Sequence, residues 1–149
     1  MLIKDYFNIS FLNFLSLLIA SIIPFLVLGP FIPDLIISLS SIWFIYYSIK
    51  NKLFKYYKNN YFYFFLGFWL ICIFSSIISE NIFFILKSFL FYFRIGIFAL
   101  LILFLIDKNK KILDYFYYFF IISFYVLILD GYFQYFNGVN LFGLKMAGV

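Results

Sequence analysis

The single arginine of this sequence, Arg94, stands in an otherwise apolar run, Phe89-Leu90-Phe91-Tyr92-Phe93-Arg94-Ile95-Gly96-Ile97-Phe98. A charged side chain within a bilayer costs about 2.5–3.5 kcal/mol on insertion scales, so it normally faces a protein interior or a wet cavity. Lys87 lies seven residues earlier, nearly on the same helix face. A forked donor and a point charge stacked in this way suit a diphosphate or another anionic head group. The competing reading is snorkelling, in which both side chains reach up to the interface and do nothing more. Asp130 heads a second polar stretch, Asp130-Gly131-Tyr132-Phe133-Gln134-Tyr135-Phe136-Asn137-Gly138-Val139-Asn140-Leu141-Phe142-Gly143. It reads either as an aromatic belt with a glycine turn or as a polar mouth, with Asp130 a candidate partner for Arg94.

Other chemistries are excluded by what the sequence lacks. Without histidine there is no imidazole metal site, Ser-His-Asp triad or Cys-His dyad within these residues. One cysteine, Cys72, in an apolar run, allows neither an internal disulfide nor a cysteine zinc site, and reads as an inert buried thiol. No metal ligand set and no cofactor motif is present. Glu80, beside Asn81, is a loop carboxylate or a partner for Lys87. Asp34 and Asp114 sit where a carboxylate favours a helix N-terminus.

These residues need a scaffold, and composition names its solvent. Of 149 residues, 67% are hydrophobic, 28% aromatic and only 11% charged. A soluble globule of this size has too few polar groups here to cover its surface. A soluble enzyme, a disordered chain and a nucleic-acid-binding domain are thereby excluded, and a bilayer is the fitting solvent. The excess of Phe, Ile, Lys, Tyr and Asn over Ala and Arg suggests AT-rich codons and a bacterial genome, so part of the aromatic content needs no functional reason.

A spanning helix takes about 20 apolar residues. Five fit, roughly at residues 9–28, 33–49, 61–79, 88–106 and 112–129. Pro24 kinks the end of the first, and Gly29, Pro30 and Pro33 stop it and start the second. No cleavage site follows the first apolar run, so it reads as a retained helix rather than a signal peptide. The fourth has an alternative start near Ile82. No sustained alternation points to a β-barrel. The expected fold is an all-α, polytopic transmembrane helical bundle forming a single membrane domain over residues 1–149. Lys50, Lys52, Lys55 and Lys58 follow the second span, Lys108, Lys110 and Lys111 the fourth, and Lys4 the start. If the spans alternate, these eight share one face, opposite Lys87 and Lys145. The positive-inside rule then puts the N-terminus in the cytoplasm and the C-terminus outside. The net charge of +5 is explained as topology and contact with anionic lipid heads. Arg94 would lie roughly 9 Å below the outer edge and Asp130 about 27 Å along the last span, near the same boundary.

The block Ser88-Phe89-Leu90-Phe91-Tyr92-Phe93-Arg94, a lysine-rich inner loop, and then Asp130 to Gly138 with Asn140-Leu141-Phe142-Gly143 resembles the N-terminal part of bacterial O-antigen ligases and O-antigen polymerases. The Ile32-Pro33-Asp34 hairpin looks similar too. The resemblance implies a multi-pass inner-membrane glycosyltransferase, in lipopolysaccharide or surface polysaccharide assembly. Such enzymes move a glycan from an undecaprenyl-diphosphate carrier to an acceptor, without nucleotide sugar, cofactor or metal. It carries over Arg94, and with it Asp130 and Gln134, to the carrier; Lys87 joins them by position. The family's His and Arg in a large periplasmic loop have no counterpart here. The expectation is therefore a fragment, inactive alone for want of a general base, whose partner is the missing C-terminal half. The alternatives are a small non-catalytic membrane scaffold, favoured by the absence of histidine, or a transporter subunit with Arg94 on an anion path.

Overall fold

The computed structural model describes residues 2–78 and 82–139, and its elements are helical throughout those residues. They are α1 (Leu2–Ala20), α2 (Ile22–Leu28), α3 (Phe31–Lys50), α4 (Asn60–Ile77), α5 (Ile82–Lys108) and α6 (Lys111–Asn137), with a 3-10 turn at Phe54–Tyr56. Five stretches are long and apolar enough to cross a membrane: Ser10–Leu28, Phe31–Lys50, Asn60–Ile77, Leu86–Lys108 and Lys111–Asn137. The chain is an all-α, multi-pass membrane protein. Its many exposed large apolar side chains, among them Phe64, Ile78 and Phe83, are what lipid-facing helices require.

The chain divides into two compact units, Met1–Pro33 with Lys111–Val149, and Asp34–Lys110. In the first, α1 and α2 each pack on α6. The helix break between α1 and α2 at Ser21 follows from Pro24. Ser21 N–H still donates to Leu17 (3.0 Å), and Phe25 N–H donates to Ser21 (3.2 Å). Pro24 has no N–H to give the carbonyl four residues back, that of Ala20, so the ladder loses one rung there. Leu15, Ser16, Ile19, Ala20, Ile112 and Ser123 are buried, and the small ones allow the helices to approach. Gly29 closes α2 at φ +147°, a conformation L residues rarely adopt.

The sequence carries the last span at least to Leu129, and α6 continues to Asn137. Gly131, expected as a turn, is helical. The stop comes at Gly138, at φ +72°, whose N–H donates to Gln134 (2.9 Å). In an apolar solvent a helix satisfies its own backbone, so one glycine does not end it.

In the second unit α4 lies close against α5. Gly96 makes this possible: a Cβ there would meet the Phe65 ring at 2.1 Å. Trp69 Nε1 donates to the Phe89 carbonyl across the same seam (2.8 Å). The helix α3 meets α5 through larger side chains, with the Phe44 and Phe104 rings 5.6 Å apart and both buried. The C-terminus of α3 is a Schellman closure. Leu53 N–H donates to Ser48 (2.9 Å) and Lys52 N–H to Ile49 (3.3 Å), which sets Lys52 at φ +52°. That bend turns the lysine-rich segment back over the end of α5, where Lys55 approaches Asp107 (3.8 Å). The lysine-bearing ends of α3 and α5 therefore lie together in this unit.

Candidate functional site

Arg94 projects from α5 toward the first turns of α3. Its Nη1 donates to Ser38 Oγ (2.6 Å), and its Nη2 forms an ion pair with Asp34. Its guanidinium carbon is 5.3 Å from the centre of the Phe91 ring. Ser41 Oγ donates to the Arg94 carbonyl (3.0 Å), so α3 holds both the side chain and the backbone of that residue. The Arg94 Nε is buried without a hydrogen-bond partner. The Arg94 side chain keeps only 27% of its exposure, while that of Asp34 keeps 56%.

The α3 residues responsible form a pattern. Asp34, Ser38 and Ser41 recur at four and three residues, so they line one helix face. Ser48 continues the stripe at the next heptad and hydrogen-bonds the Tyr57 hydroxyl (2.7 Å). The sequence reading assigned Asp34 to the helix N-terminus and offered Asp130 as the partner of Arg94. The polar stripe in an otherwise apolar span is the signal that would have pointed to Asp34 and Ser38. Within this unit Asp34 supplies the carboxylate.

Lys87 and Arg94 line the same pocket of about 490 Å³, with Asp34, Ser88, Phe91, Tyr92 and Ile95. Lys87 is exposed and one heptad before Arg94, as the spacing implied. A second groove of about 390 Å³ shares Arg94 and Phe91 but is otherwise walled by Ser38, Ser41, Ile42, Ile45, Leu90, Phe93 and Ile97. A cationic pocket thus adjoins an apolar slot, with Arg94 on the border of both. Chemically, this arrangement suits an amphiphilic anion.

Asp130 and Gln134 are on α6, in the first unit, four residues apart and both half-buried on one face. Glu80, the other carboxylate offered for Lys87, lies outside the described residues, as do Asn140 to Gly143. Among the described residues, no three His, Cys, Asp or Glu gather into a set that could hold a metal ion. Cys72 is a free, half-buried thiol. No family model, no curated protein and no solved structure matches the chain.

Proposed function

We propose that this chain is the N-terminal, membrane-embedded part of a bacterial inner-membrane glycosyltransferase of the O-antigen ligase or polymerase kind, which holds an undecaprenyl-diphosphate-linked glycan. The observation that supports it is the shared border at Arg94 between a pocket that also carries Lys87 and an apolar groove. A polyprenyl diphosphate has the same two parts, a multiply charged head and a long apolar tail. Asp34 and Ser38 fix the guanidinium, and the exposed Lys87 supplies the positive charge that Asp34 does not offset. As an acceptor hydroxyl attacks the anomeric carbon and loses its proton to a general base, the bond to the carrier breaks, its electron pair goes to the leaving diphosphate oxygen, and a pre-oriented cation there lowers the barrier. Asp130 and Gln134, in the other unit, enter this reading through the resemblance alone. The N-terminus and the lysine-rich segments are cytoplasmic by the positive-inside rule, and Lys87 and Arg94 face the periplasmic side.

One observation favours a second reading. Both terminal nitrogens of Arg94 are already partnered by α3, which is what a clamp between two helices in a non-catalytic scaffold would show. Lys87 takes no part in that clamp and separates the two. Undecaprenyl diphosphate retained by the purified chain in phosphatidylcholine nanodiscs, read by native mass spectrometry, is the test. Retention that falls about tenfold in Lys87→Gln, at unchanged thermal stability, is expected from the loss of one charge-assisted contact to the head group. Equal retention by the wild type and Lys87→Gln leaves the clamp as the reading.

A further inference from the structure

The lysine-bearing end of the second unit holds a pocket with no part in the site above. About 660 Å³ in volume, it is lined by Lys55, Tyr56, Lys58, Asn59, Asn60, Tyr61, Leu103 and Asp107. This lies within the roughly 300–1,000 Å³ of small-ligand sites. Its position follows from the spans. Asn60 is the first residue of α4, and Lys108 the last of α5. A pocket between those two helix ends sits at the level where hydrocarbon gives way to head groups.

Its chemistry is that of an anion seat with an apolar edge. Lys55 and Lys58 outweigh the one carboxylate, Asp107. The Lys55–Asp107 contact, at 3.8 Å with both side chains more than half exposed, is weak and leaves the ammonium free to turn. The same ammonium lies 4.6 Å from the centre of the Tyr56 ring. The pocket also takes in the N-terminus of α4, where Asn59 caps the helix by accepting from Tyr61 N–H (3.0 Å). That end of an 18-residue helix carries the positive pole of its dipole. An independent sign of a missing acceptor is the Tyr56 hydroxyl. Tyr56 is only 6% exposed, and its buried hydroxyl lies near Lys55 and Asp107 without a hydrogen bond of normal geometry to either. A buried hydroxyl without a good acceptor is unfavourable, and an incoming anionic oxygen would relieve it. Below the pocket, Tyr61, Phe64 and Phe68 present exposed rings at helical spacing along α4, a surface that acyl chains cover.

We propose that this pocket binds the phosphodiester head group of an anionic phospholipid, with Lys55 and Lys58 on the phosphate and the Tyr56 hydroxyl donating to it. Phosphatidylglycerol is the simplest lipid with that head group, and the site accepts it in the leaflet that meets the lysine-rich end. The binding depends neither on the glycan reading nor on the orientation of the chain.

The test uses the full chain in nanodiscs of phosphatidylcholine with a minority of phosphatidylglycerol, and native mass spectrometry of the lipid that stays bound. The wild type should retain phosphatidylglycerol well above its share of the bilayer. Lys55→Gln with Lys58→Gln should lower that enrichment by roughly tenfold or more, the effect of losing charge-assisted hydrogen bonds to the phosphate. Tyr56→Phe should lower it at least twofold while the chain stays folded. Lys50→Gln with Lys110→Gln removes the same charge outside the pocket and should leave the enrichment in place. An equal fall in that control would reduce the effect to general surface attraction and overturn the site. So would displacement by soluble glycerol phosphate, which would make it a free-anion site, or an absence of enrichment in the wild type.

Discussion

Gly96 on α5 lies beneath the ring of Phe65 on α4, so closely that a methyl group there would overlap the ring. This contact sets the spacing of the two helices and of everything α5 displays toward α3. Gly96→Ala is expected to destabilise the chain by about 1–3 kcal/mol, the usual cost of overpacking. Gly67, on α4 with open space around it, is the control, and Gly67→Ala should be neutral or slightly stabilising. Thermal unfolding in detergent measures both. Matching midpoints for the two variants would remove Gly96 as the reason α4 sits close to α5.

The Asp34–Arg94 pair is the second quantity open to measurement. Asp34→Ala leaves a guanidinium at membrane depth without its carboxylate. Asp34 is 56% exposed, so the cost should fall below the roughly 3–5 kcal/mol of a fully buried pair, at about 1–2 kcal/mol. The double variant Asp34→Ala with Arg94→Leu should be less damaging than the sum of the two singles. A double-mutant cycle with zero coupling would show that the contact contributes nothing.

Lys52 occupies a backbone conformation that suits glycine, at φ +52°. Lys52→Gly should raise stability by about 1 kcal/mol by removing that strain, whereas Lys52→Ala should not. A destabilised Lys52→Gly would mean that the lysine side chain, rather than the backbone, sets this turn.

Burial raises the Tyr56 hydroxyl above the ordinary tyrosine range; the Asp107 carboxylate adds to this and the Lys55 ammonium opposes it. The folded chain thus holds the proton more tightly than the unfolded chain. That contribution is fully present below a pH of about 10 and is lost as the pH rises beyond it. Tyr56→Phe should flatten the stability profile in that alkaline window and, by removing a buried hydroxyl without a good acceptor, leave stability at neutral pH equal or slightly higher. An unchanged alkaline limb in Tyr56→Phe would assign the transition to other groups.

The spans were legible because each is a run of apolar residues as long as a bilayer is thick, and length alone carries that signal. Their ends were less so. Asp130 and Gln134 look like loop residues in a window of sequence, yet four-residue spacing keeps them on one face of a continuing helix. Arg94 announced itself as a charge in hydrocarbon. Its partners did not, because Asp34 lies 60 residues away and periodicity reports a helix face, not which neighbour it meets. The division into two units was equally hidden, since helices apolar on nearly every side give no preference for which pack together. The pocket at the lysine-rich end depends on the backbone reversal at Lys52, a position with no glycine to mark it.

The distance in sequence between Asp34 and Arg94 also has a meaning in time. Ribosomes add about 5–20 residues per second, so the 60 residues between them take about 3–12 s to make. For that interval α3 exists without its counter-ion, and the carboxylate must stay with water at the membrane surface. The emergence of α5 ends that wait, and Arg94 is drawn to a helix already holding its partner.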